Sequence, residues 1–340
     1  MHKEITIYDL AKELKLHPAT ISRALKDHHA INKNTKKKIV DMAEEMGYRS
    51  NTFASNLRKK KTNTIGVIIP RLNSHFVSSV LAAMEKVSND SGYNIIISQS
   101  MESVGKEIVN AKTMFDNRVD GLLVSLAYDT DNIDHFDKFT RKGIPVIFFD
   151  RVFHNNDSVC IVIDNYKNAY DVTTHLIDQG CRRIMHVTGN LKRNVYSERF
   201  NGYKKALKEA KIPYDEKLVI SGELNEIAGT EVGETILTMK KLPDGIFVAN
   251  DICAASCMRV LKQNGIRIPE DIAIAGFNND PITRIVEPNI TTVNYPAYQM
   301  GEIAATSLIN HLNGLANIHT TNKIILKSEL LIRESSQKKK

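Results

Sequence analysis

The polar residues best placed to do chemistry in this sequence directly follow apolar runs of strand length. They stand at positions 70–74, 150–151, 250–251 and 278–280. In open sheets of parallel strands, ligands bind just beyond the carboxyl ends of the strands. No pair of nucleophile and base accompanies these residues, so the pattern favours binding of a ligand over catalysis.

Motifs for phosphate, dinucleotide, zinc, thiol-redox or serine-hydrolase chemistry are absent from the sequence. There is no GxxxxGK[ST] loop, no GxGxxG after a strand, and no HExxH, CxxC or GxSxG. Cys253 and Cys257 are four residues apart in a predicted helix, but no His or carboxylate lies at ligand spacing around them. We interpret them as small buried thiols. We therefore expect no enzyme activity, no cofactor and no metal site.

Charge divides the chain into a basic first part and a nearly neutral remainder. Residues 1–61 hold 14 Lys and Arg against 7 Asp and Glu, whereas the other 279 residues hold 32 of each sign. A basic segment attached to a separate globular part indicates a module that binds a polyanion. A solvated basic tail is the alternative, but residues 5–47 show the apolar periodicity of a folded segment.

Length and composition narrow the class of protein. A chain of 340 residues exceeds one ordinary hydrophobic core, and 42% hydrophobic with 25% charged residues is typical neither of disordered nor of fibrous proteins. No run of 18 apolar residues could span a bilayer, and the first residues lack the pattern of a secretory signal. Four cysteines are too few for a disulfide framework. We expect a cytoplasmic protein of several domains with reduced thiols.

Residues 5–47 predict three short helices. The first is preceded by Thr6, with Asp9 three residues later, close to a capping box. The second begins at Pro18, a residue favoured in a first helical turn, and the third ends at Gly47. Two helices joined by a short turn and braced by a third predict an all-α helix-turn-helix head.

From residue 62 onward, apolar runs of strand length alternate with amphipathic helical stretches. The runs are 64–70, 93–100, 120–126, 145–150, 158–164, 183–189, 217–222, 244–251 and 272–277. Helical stretches separate most of the runs, such as 76–90, 104–117, 166–179, 198–210, 227–240 and 252–264. Near-continuous β-branched runs predict parallel strands buried on both faces, and the alternation predicts a doubly wound α/β body. So many strands exceed one ordinary domain of this type, so we expect two lobes.

The chain resembles the LacI/GalR family of bacterial transcription regulators, named after the lactose and galactose repressors, over about residues 5–335. The head segments that carry the resemblance are TIYDLAKELKLHPATISRAL, INKNTKKKI and MGYRSN. The body segments, in family order, are IGVIIP, RVDGLLV, FDR, ERFNGYKKAL, GIFVANDICA, IPEDIAIAGF, PNITTV and ELLIRESS. One segment alone would be a weak signal, but the ordered set is specific.

The resemblance implies a multi-domain organisation in five parts. A helix-turn-helix head spans 1–48, a hinge helix or linker spans 49–61, and a body like a periplasmic sugar-binding protein spans 62–335. The two lobes of the body exchange chain at three crossovers. Lobe one takes 62–161 and 293–321, lobe two takes 162–292 and 322–335, and a basic tail spans 336–340.

By resemblance, the head and the linker supply ten DNA-binding residues. Base-reading positions are Pro18, Ala19 and Arg23, and Leu57 matches the hinge leucine that wedges into the minor groove. Positions matching phosphate anchors are Thr6, Tyr8, Thr20, Ser22, Asn32 and Thr35. The alternatives are a solvated surface residue for Arg23, a plain helix cap for Thr6 and a small satellite core for Leu57.

Seven body residues match the effector pocket of the family. They are Asn73, Ser74, Phe76, Asp150, Arg199, Asn250 and Asn278. The guanidinium of Arg199 offers a rigid fork for hydroxyls or carboxylates, and an interlobe salt bridge is its alternative role. Because the chain has no Trp, stacking on a sugar face must come from Phe or Tyr.

The resemblance implies a transcription regulator, most simply a repressor, that acts as a homodimer on a pseudo-palindromic operator. Its small-molecule effector would be a sugar or sugar derivative. A solute-binding module of periplasmic type is one alternative, but it would carry a signal peptide in place of the helix-turn-helix. A two-lobed sugar-modifying enzyme is the other, and it would need a phosphate loop or a nucleophile with its base.

Overall fold

The computed structural model describes residues 5–48, 61–153 and 159–338. The spatial contacts between Cα atoms divide the chain into one compact unit of residues 1–62 and a second unit of residues 63–340. The boundary expected between head with linker and body lies within one residue of this division. Within the described ranges, no helix is both long enough and apolar enough to cross a bilayer.

The first unit is built from three helices, which are α1 (Ile7–Glu13), α2 (Pro18–Leu25) and α3 (Lys33–Glu45). Their core consists of Leu10, Ile21 and Ile39, all fully buried, with small alanines between them. A few large aliphatic side chains suffice because each helix buries only one narrow face.

Each helix of the head begins at a side-chain cap. The backbone N–H of Thr6 donates to Asp9 Oδ2 over 2.8 Å, completing the expected capping box of α1. The Oδ1 atom of Asn32 accepts the N–H of Asn34 at 2.8 Å. His17 caps α2 through Nδ1, which accepts the N–H of Ala19 at 3.2 Å. The start of α2 is therefore fixed without a hydroxyl cap.

The second unit contains twelve strands and eight helices in the part of the chain described. The strands are β1 (Thr64–Ile69), β2 (Asn94–Gln99), β3 (Gly121–Val124), β4 (Val146–Phe149), β5 (Val159–Ile163), β6 (Ile184–Thr188), β7 (Val219–Ser221), β8 (Gly245–Val248), β9 (Ala273–Ala275), β10 (Thr292–Asn294), β11 (Lys323–Leu326) and β12 (Glu329–Leu331). The helices are α4 (His75–Asp90), α5 (Val104–Asp116), α6 (Asp137–Arg141), α7 (Asn165–Asp178), α8 (Asn194–Glu209), α9 (Glu226–Leu237), α10 (Asp251–Gln263) and α11 (Ala297–Leu312).

Two parallel sheets form the two lobes. The first lobe has the strand order β2-β1-β3-β4-β5-β11, and the second has the order β7-β6-β8-β9. Helices α4 and α11 pack together on the first sheet, whereas α7 packs on α8 and α9 on α10 in the second lobe. The doubly wound, two-lobed architecture expected from the alternation is confirmed.

Two strands, β2 and β7, depart from the expected burial on both faces, since none of their residues is buried. Ile96 and Ile97 of β2 are 36% and 39% exposed. Each of the two strands lies at an edge of its sheet, where fewer neighbours cover it, whereas every residue of β3 and β4 is buried.

The last crossover lies later in the chain than expected. The boundary of lobe one was placed at 321, but β11 pairs in parallel with β5, so the first lobe extends through Leu326. The chain then passes to β12, which pairs antiparallel with β10. The expected boundary is therefore wrong by one strand, because a four-residue edge strand carries too little pattern to assign.

The expected basic tail of residues 336–340 is not a free tail where it is described. Ser336 is fully buried, and its hydroxyl lies 2.7 Å from His175 Nε2. Lys338 donates from its backbone N–H to Gln179 Oε1 at 3.1 Å. These contacts fix the end of the described chain against the second lobe.

Candidate functional site

A cleft of about 580 Å³ lies between the two lobes, at the carboxyl ends of their strands. All seven residues that the sequence assigns to an effector pocket line this one cleft. They are Asn73, Ser74, Phe76, Asp150, Arg199, Asn250 and Asn278. The strand topology explains the convergence, because loops that follow neighbouring parallel strands meet at the same sheet edge.

Asp150 follows β4 and is 9% exposed. Its Oδ1 accepts the hydroxyl of Tyr295 at 2.8 Å, and its Oδ2 lies 3.5 Å from the hydroxyl of Ser125. Burial raises the pKa of Asp150, while the nearby Arg151 and the Tyr295 hydroxyl act in the opposite direction. A carboxyl held in this way can orient a ligand hydroxyl.

Arg199 belongs to α8 and is 3% exposed. Its Nε donates to Asn165 Oδ1 at 2.8 Å, its Nη1 donates to the carbonyl of Ala249 at 3.0 Å, and its guanidinium lies 3.6 Å from the ring centroid of Phe277. Burial lowers its pKa. Among the described residues it forms no interlobe salt bridge, and its Nη2 makes no hydrogen bond to the protein. That N–H group remains for a ligand.

Polar residues at two helix starts complete the lining. Asn250 caps α10, since its Oδ1 accepts the N–H groups of Ile252 and Cys253 at 2.9 and 3.2 Å. Its amide nitrogen is left for other partners. Ser74 precedes α4 without a capping hydrogen bond from its side chain. Both side chains thus present polar atoms toward the cleft.

Sequence reasoning did not assign a binding role to an arginine held between two tyrosines in the cleft. The guanidinium carbon of Arg151 lies 4.4 Å from the ring centroid of Tyr128 and 5.6 Å from that of Tyr196. The Nη2 of Arg151 donates to the Tyr196 hydroxyl at 3.2 Å. The lack of Trp pointed to Tyr or Phe in the site, but no pattern distinguished these two from the other tyrosines.

Glu102 was also missed. Its Oε2 accepts from Arg151 Nη1 at 2.7 Å, and its side chain is 9% exposed. It stands three residues after the end of β2. The rule that ligands bind beyond strand ends would have included it.

Several non-glycine residues around the cleft have a positive φ angle. The values are 60° for Glu102, 58° for Asp150, 123° for Asn278 and 59° for Asn279. Residues other than glycine seldom adopt a positive φ angle. The backbone strain costs about 1–3 kcal/mol per residue and persists only where surrounding contacts enforce it. The cleft is therefore a place where the fold sustains backbone strain to set side-chain positions.

The two lobes also contact each other directly at the cleft. Arg71 Nη2 lies 3.1 Å from Glu223 Oε1, and Lys192 Nζ lies 3.1 Å from Asp131 Oδ1. The hydroxyls of Tyr128 and Tyr196 are 3.2 Å apart. Opening of the cleft must therefore break polar contacts as well as expose its lining.

Of the ten expected DNA-binding residues, five are exposed on the head and four are half-buried. On α2, Ile21 and Ala24 are buried, while Ala19 and Arg23 on the other side are exposed. Tyr8 is 72% exposed at the start of α1. Thr6 and Asn32 are exposed and serve as helix caps, and those half-buried are Pro18, Thr20, Ser22 and Thr35. Leu57 lies outside the described residues.

The chain matches the family described as "Bacterial regulatory proteins, lacI family" over residues 6–51 and the "Periplasmic binding protein-like domain" over residues 173–336. It is 31% identical to the catabolite control protein A of Priestia megaterium over 310 residues, which cover 91% of this chain and 93% of that protein.

Two solved structures show the same fold. One is the lac repressor dimer bound to operator and the anti-inducer ONPF, with a TM-score of 0.85 and 22% identity over 98% of this chain and 99% of that one. The other is a periplasmic binding protein/LacI transcriptional regulator from Alkaliphilus metalliredigens complexed with D-xylulofuranose. It has a TM-score of 0.70 and 25% identity over 81% of this chain and 99% of that one.

Proposed function

This chain belongs to the lacI family of bacterial regulatory proteins, and from that premise we propose that it is a repressor controlled by a carbohydrate. Members of this family bind DNA and respond to an effector. The sign of the response and the class of effector are our proposal. The observation that supports it is that the seven residues matching the family's effector pocket all line one cleft between the lobes.

The lining of the cleft suits a polyhydroxyl ligand. Hydroxyls both donate and accept hydrogen bonds, and the cleft offers the Asp150 carboxyl, the amide of Asn250 and the open N–H of Arg199. Phe76 and Tyr295, whose ring centroids are 4.5 Å apart, supply an apolar surface for the C–H face of a sugar ring. The xylulofuranose-bound regulator from Alkaliphilus metalliredigens, 25% identical to this chain, is in accord with that class.

In the proposal, the head recognises a pseudo-palindromic operator as part of a homodimer. Arg23, exposed on α2, reads guanine in the major groove, and Tyr8 contacts phosphate. The linker carries Leu57 as a wedge between base pairs. An effector held by both lobes favours one lobe arrangement over another and so shifts the population of the DNA-competent state.

The test is operator selection followed by titration. The full-length chain selects sites from random duplex DNA, and fluorescence anisotropy then measures its affinity for the selected site with and without each of a panel of sugars. We expect a pseudo-palindromic site and at least one sugar that changes the affinity by about 5–150-fold. Failure to enrich any sequence would contradict DNA recognition, and a panel of hexoses, pentoses and disaccharides without effect would contradict a carbohydrate effector.

A further inference from the structure

Glu102 neutralises guanidinium groups at the cleft. Its Oε2 lies 2.7 Å from Arg151 Nη1 and its Oε1 lies 3.5 Å from Arg71 Nε. The Glu102 side chain is only 9% exposed and that of Arg151 only 11%, so the ion pair between them is poorly screened by water. One carboxylate thus occupies the two arginines that a negatively charged ligand would otherwise engage.

The backbone holds Glu102 in place through a strained turn. Met101 and Glu102 have φ angles of 50° and 60°, and the N–H of Ser103 donates to the carbonyl of Ser100 at 3.1 Å. Two consecutive positive φ angles are typical of glycine or asparagine in such turns. The surrounding fold sustains this cost and delivers the Glu102 carboxylate to the arginines.

The remaining charges at the cleft also disfavour an anion. Its lining, as far as the structure describes it, contains five carboxyl groups against three guanidinium groups. The carboxyl groups are those of Glu102, Asp150, Glu223, Glu226 and Asp280, and the guanidinium groups are those of Arg71, Arg151 and Arg199. A phosphate or carboxylate on the ligand would meet this excess of acid and would have to displace Glu102 from Arg151.

We propose that Glu102 is a specificity-determining residue that makes the cleft select uncharged sugars and reject sugar acids and sugar phosphates. The inference rests on the proposed carbohydrate function and narrows it. Hydroxyls of a neutral sugar need no counter-charge, so Asp150 and the open N–H of Arg199 suffice to orient them. Removing the charge of Glu102 frees Arg151 to bind an anion.

The experiment uses the full-length protein, Glu102→Gln, Glu102→Asp and the control Asp137→Asn, which removes a carboxylate paired with Arg141 at 3.4 Å outside the cleft. The probes are inorganic phosphate and the matched set of glucose, glucuronate and glucose 6-phosphate. Calorimetry and tyrosine fluorescence measure the affinity of each protein for each probe. We expect Glu102→Gln to bind phosphate and glucuronate at least about tenfold more tightly than the unmodified protein does. Asp137→Asn should behave like the unmodified protein, and Glu102→Asp, which keeps the negative charge beside Arg151, should gain much less anion binding than Glu102→Gln.

Two outcomes would overturn the inference. One is tighter binding of glucuronate or glucose 6-phosphate than of glucose by the unmodified protein, and the other is an unchanged anion affinity in Glu102→Gln. A thermal melt checks that this variant folds. If it does not, Glu102→Asn is used instead, because asparagine also lacks the carboxylate and tolerates the positive φ angle at this position. The same gain of anion binding is expected. The phosphate arm needs no identified effector, so it is independent of the sugar panel that tests the proposed function.

Discussion

Arg199 is held so that one edge of its guanidinium faces the cleft, and this geometry predicts the effect of a conservative substitution. Arg199→Lys keeps the charge but loses the planar fork that bonds Asn165 and the Ala249 carbonyl. Loss of a charge-assisted hydrogen bond to the effector costs roughly 1.5–3 kcal/mol, about tenfold to a hundredfold in affinity. Calorimetry with the sugar found by operator titration measures it.

Operator affinity without effector should hardly change in Arg199→Lys, because Arg199 lies in the second lobe of the body. Linkage requires that effector and operator change each other's binding by the same factor, so the variant should need proportionately more sugar to shift operator binding. Arg141→Lys, on the exposed side of the short helix α6, is the matched control. Normal effector affinity in Arg199→Lys would show that the fork has only a structural role.

Individual site residues were predictable to the extent that their type and position matched a family pattern. Arg199, Asp150 and Asn250 were found this way, and all three line the cleft. Tyr196 was not, because its role depends on a partner, Arg151, that only the folded structure brings to it. Glu102 could have been found from its place after β2, but its pairing with Arg151 could not. Pairwise contacts across 45 or 49 positions of sequence leave no local periodicity to read.

Secondary-structure elements were predicted best where they are buried on both faces. Strands β1 to β9 all fall within the nine apolar runs. Most of them are covered parallel strands, which must be apolar throughout, whereas the exposed edge strands β2 and β7 still contain the β-branched residues typical of strands. Helix α8 begins at Asn194 rather than at 198, since Val195 and Tyr196 pack in a small cluster with Ala249 and interrupt the periodicity of the main core.

Helix α11 was not among the predicted helices. It contains Gly301, which lowers helix propensity. A Cβ at that position would overlap the backbone oxygen of Val80 in α4, so the glycine is required for the two helices to approach. The feature that weakens the sequence signal is thus the one that the packing demands.

The start of α10 predicts a pH dependence of stability. Asp251 is fully buried, and its two oxygens accept the N–H of Asp280 at 2.8 Å and the hydroxyl of Thr292 at 2.7 Å. Burial and the neighbouring Asp280 raise the pKa of Asp251 to about 7, against about 3.9 for an unfolded Asp. The native state therefore binds the proton more tightly, and stability decreases as the pH rises from about 4 to 7, by on the order of 4 kcal/mol from this group.

Urea denaturation at a series of pH values tests this expectation. The Asp251→Asn variant lacks the titrating group. The free energy of unfolding of this variant should therefore fall less than that of the unmodified protein over the same pH range. The two proteins are compared by how steeply the free energy of unfolding changes with pH. Their absolute stabilities are not compared, because the amide changes one hydrogen bond and so the stability itself. Parallel curves for the two proteins would contradict a raised pKa at Asp251.

The molecule as a whole separates two kinds of recognition. Its first unit is basic and small, and its second unit encloses a cleft in which carboxyl groups outnumber guanidinium groups. The charge division was readable from the positions of the charged residues along the sequence. The exchange of chain between the lobes was implied only by the family resemblance, which placed the last crossover one strand too early. β11 pairs with β5 at the edge of the first sheet. Which sheet has an unpaired edge strand for β11 to join is decided only when the body is folded.

This division predicts that salt affects the two binding events differently. Neutralising phosphates releases counterions, so log K for the operator should fall with log[salt] by about 0.9 per phosphate contact, or a slope of about −5 for a dimer whose heads each neutralise three phosphates. Binding of an uncharged sugar to the body releases no counterions and should be almost independent of salt. Anisotropy titrations of the selected operator and calorimetry of the sugar, each from 50 to 200 mM salt, measure both slopes on the same protein.

Because the sugar is the internal reference, a loss of folded protein with salt would lower both affinities together. An operator slope near zero would contradict electrostatic recognition by the head, and a steep slope for the sugar would show that the effector is charged.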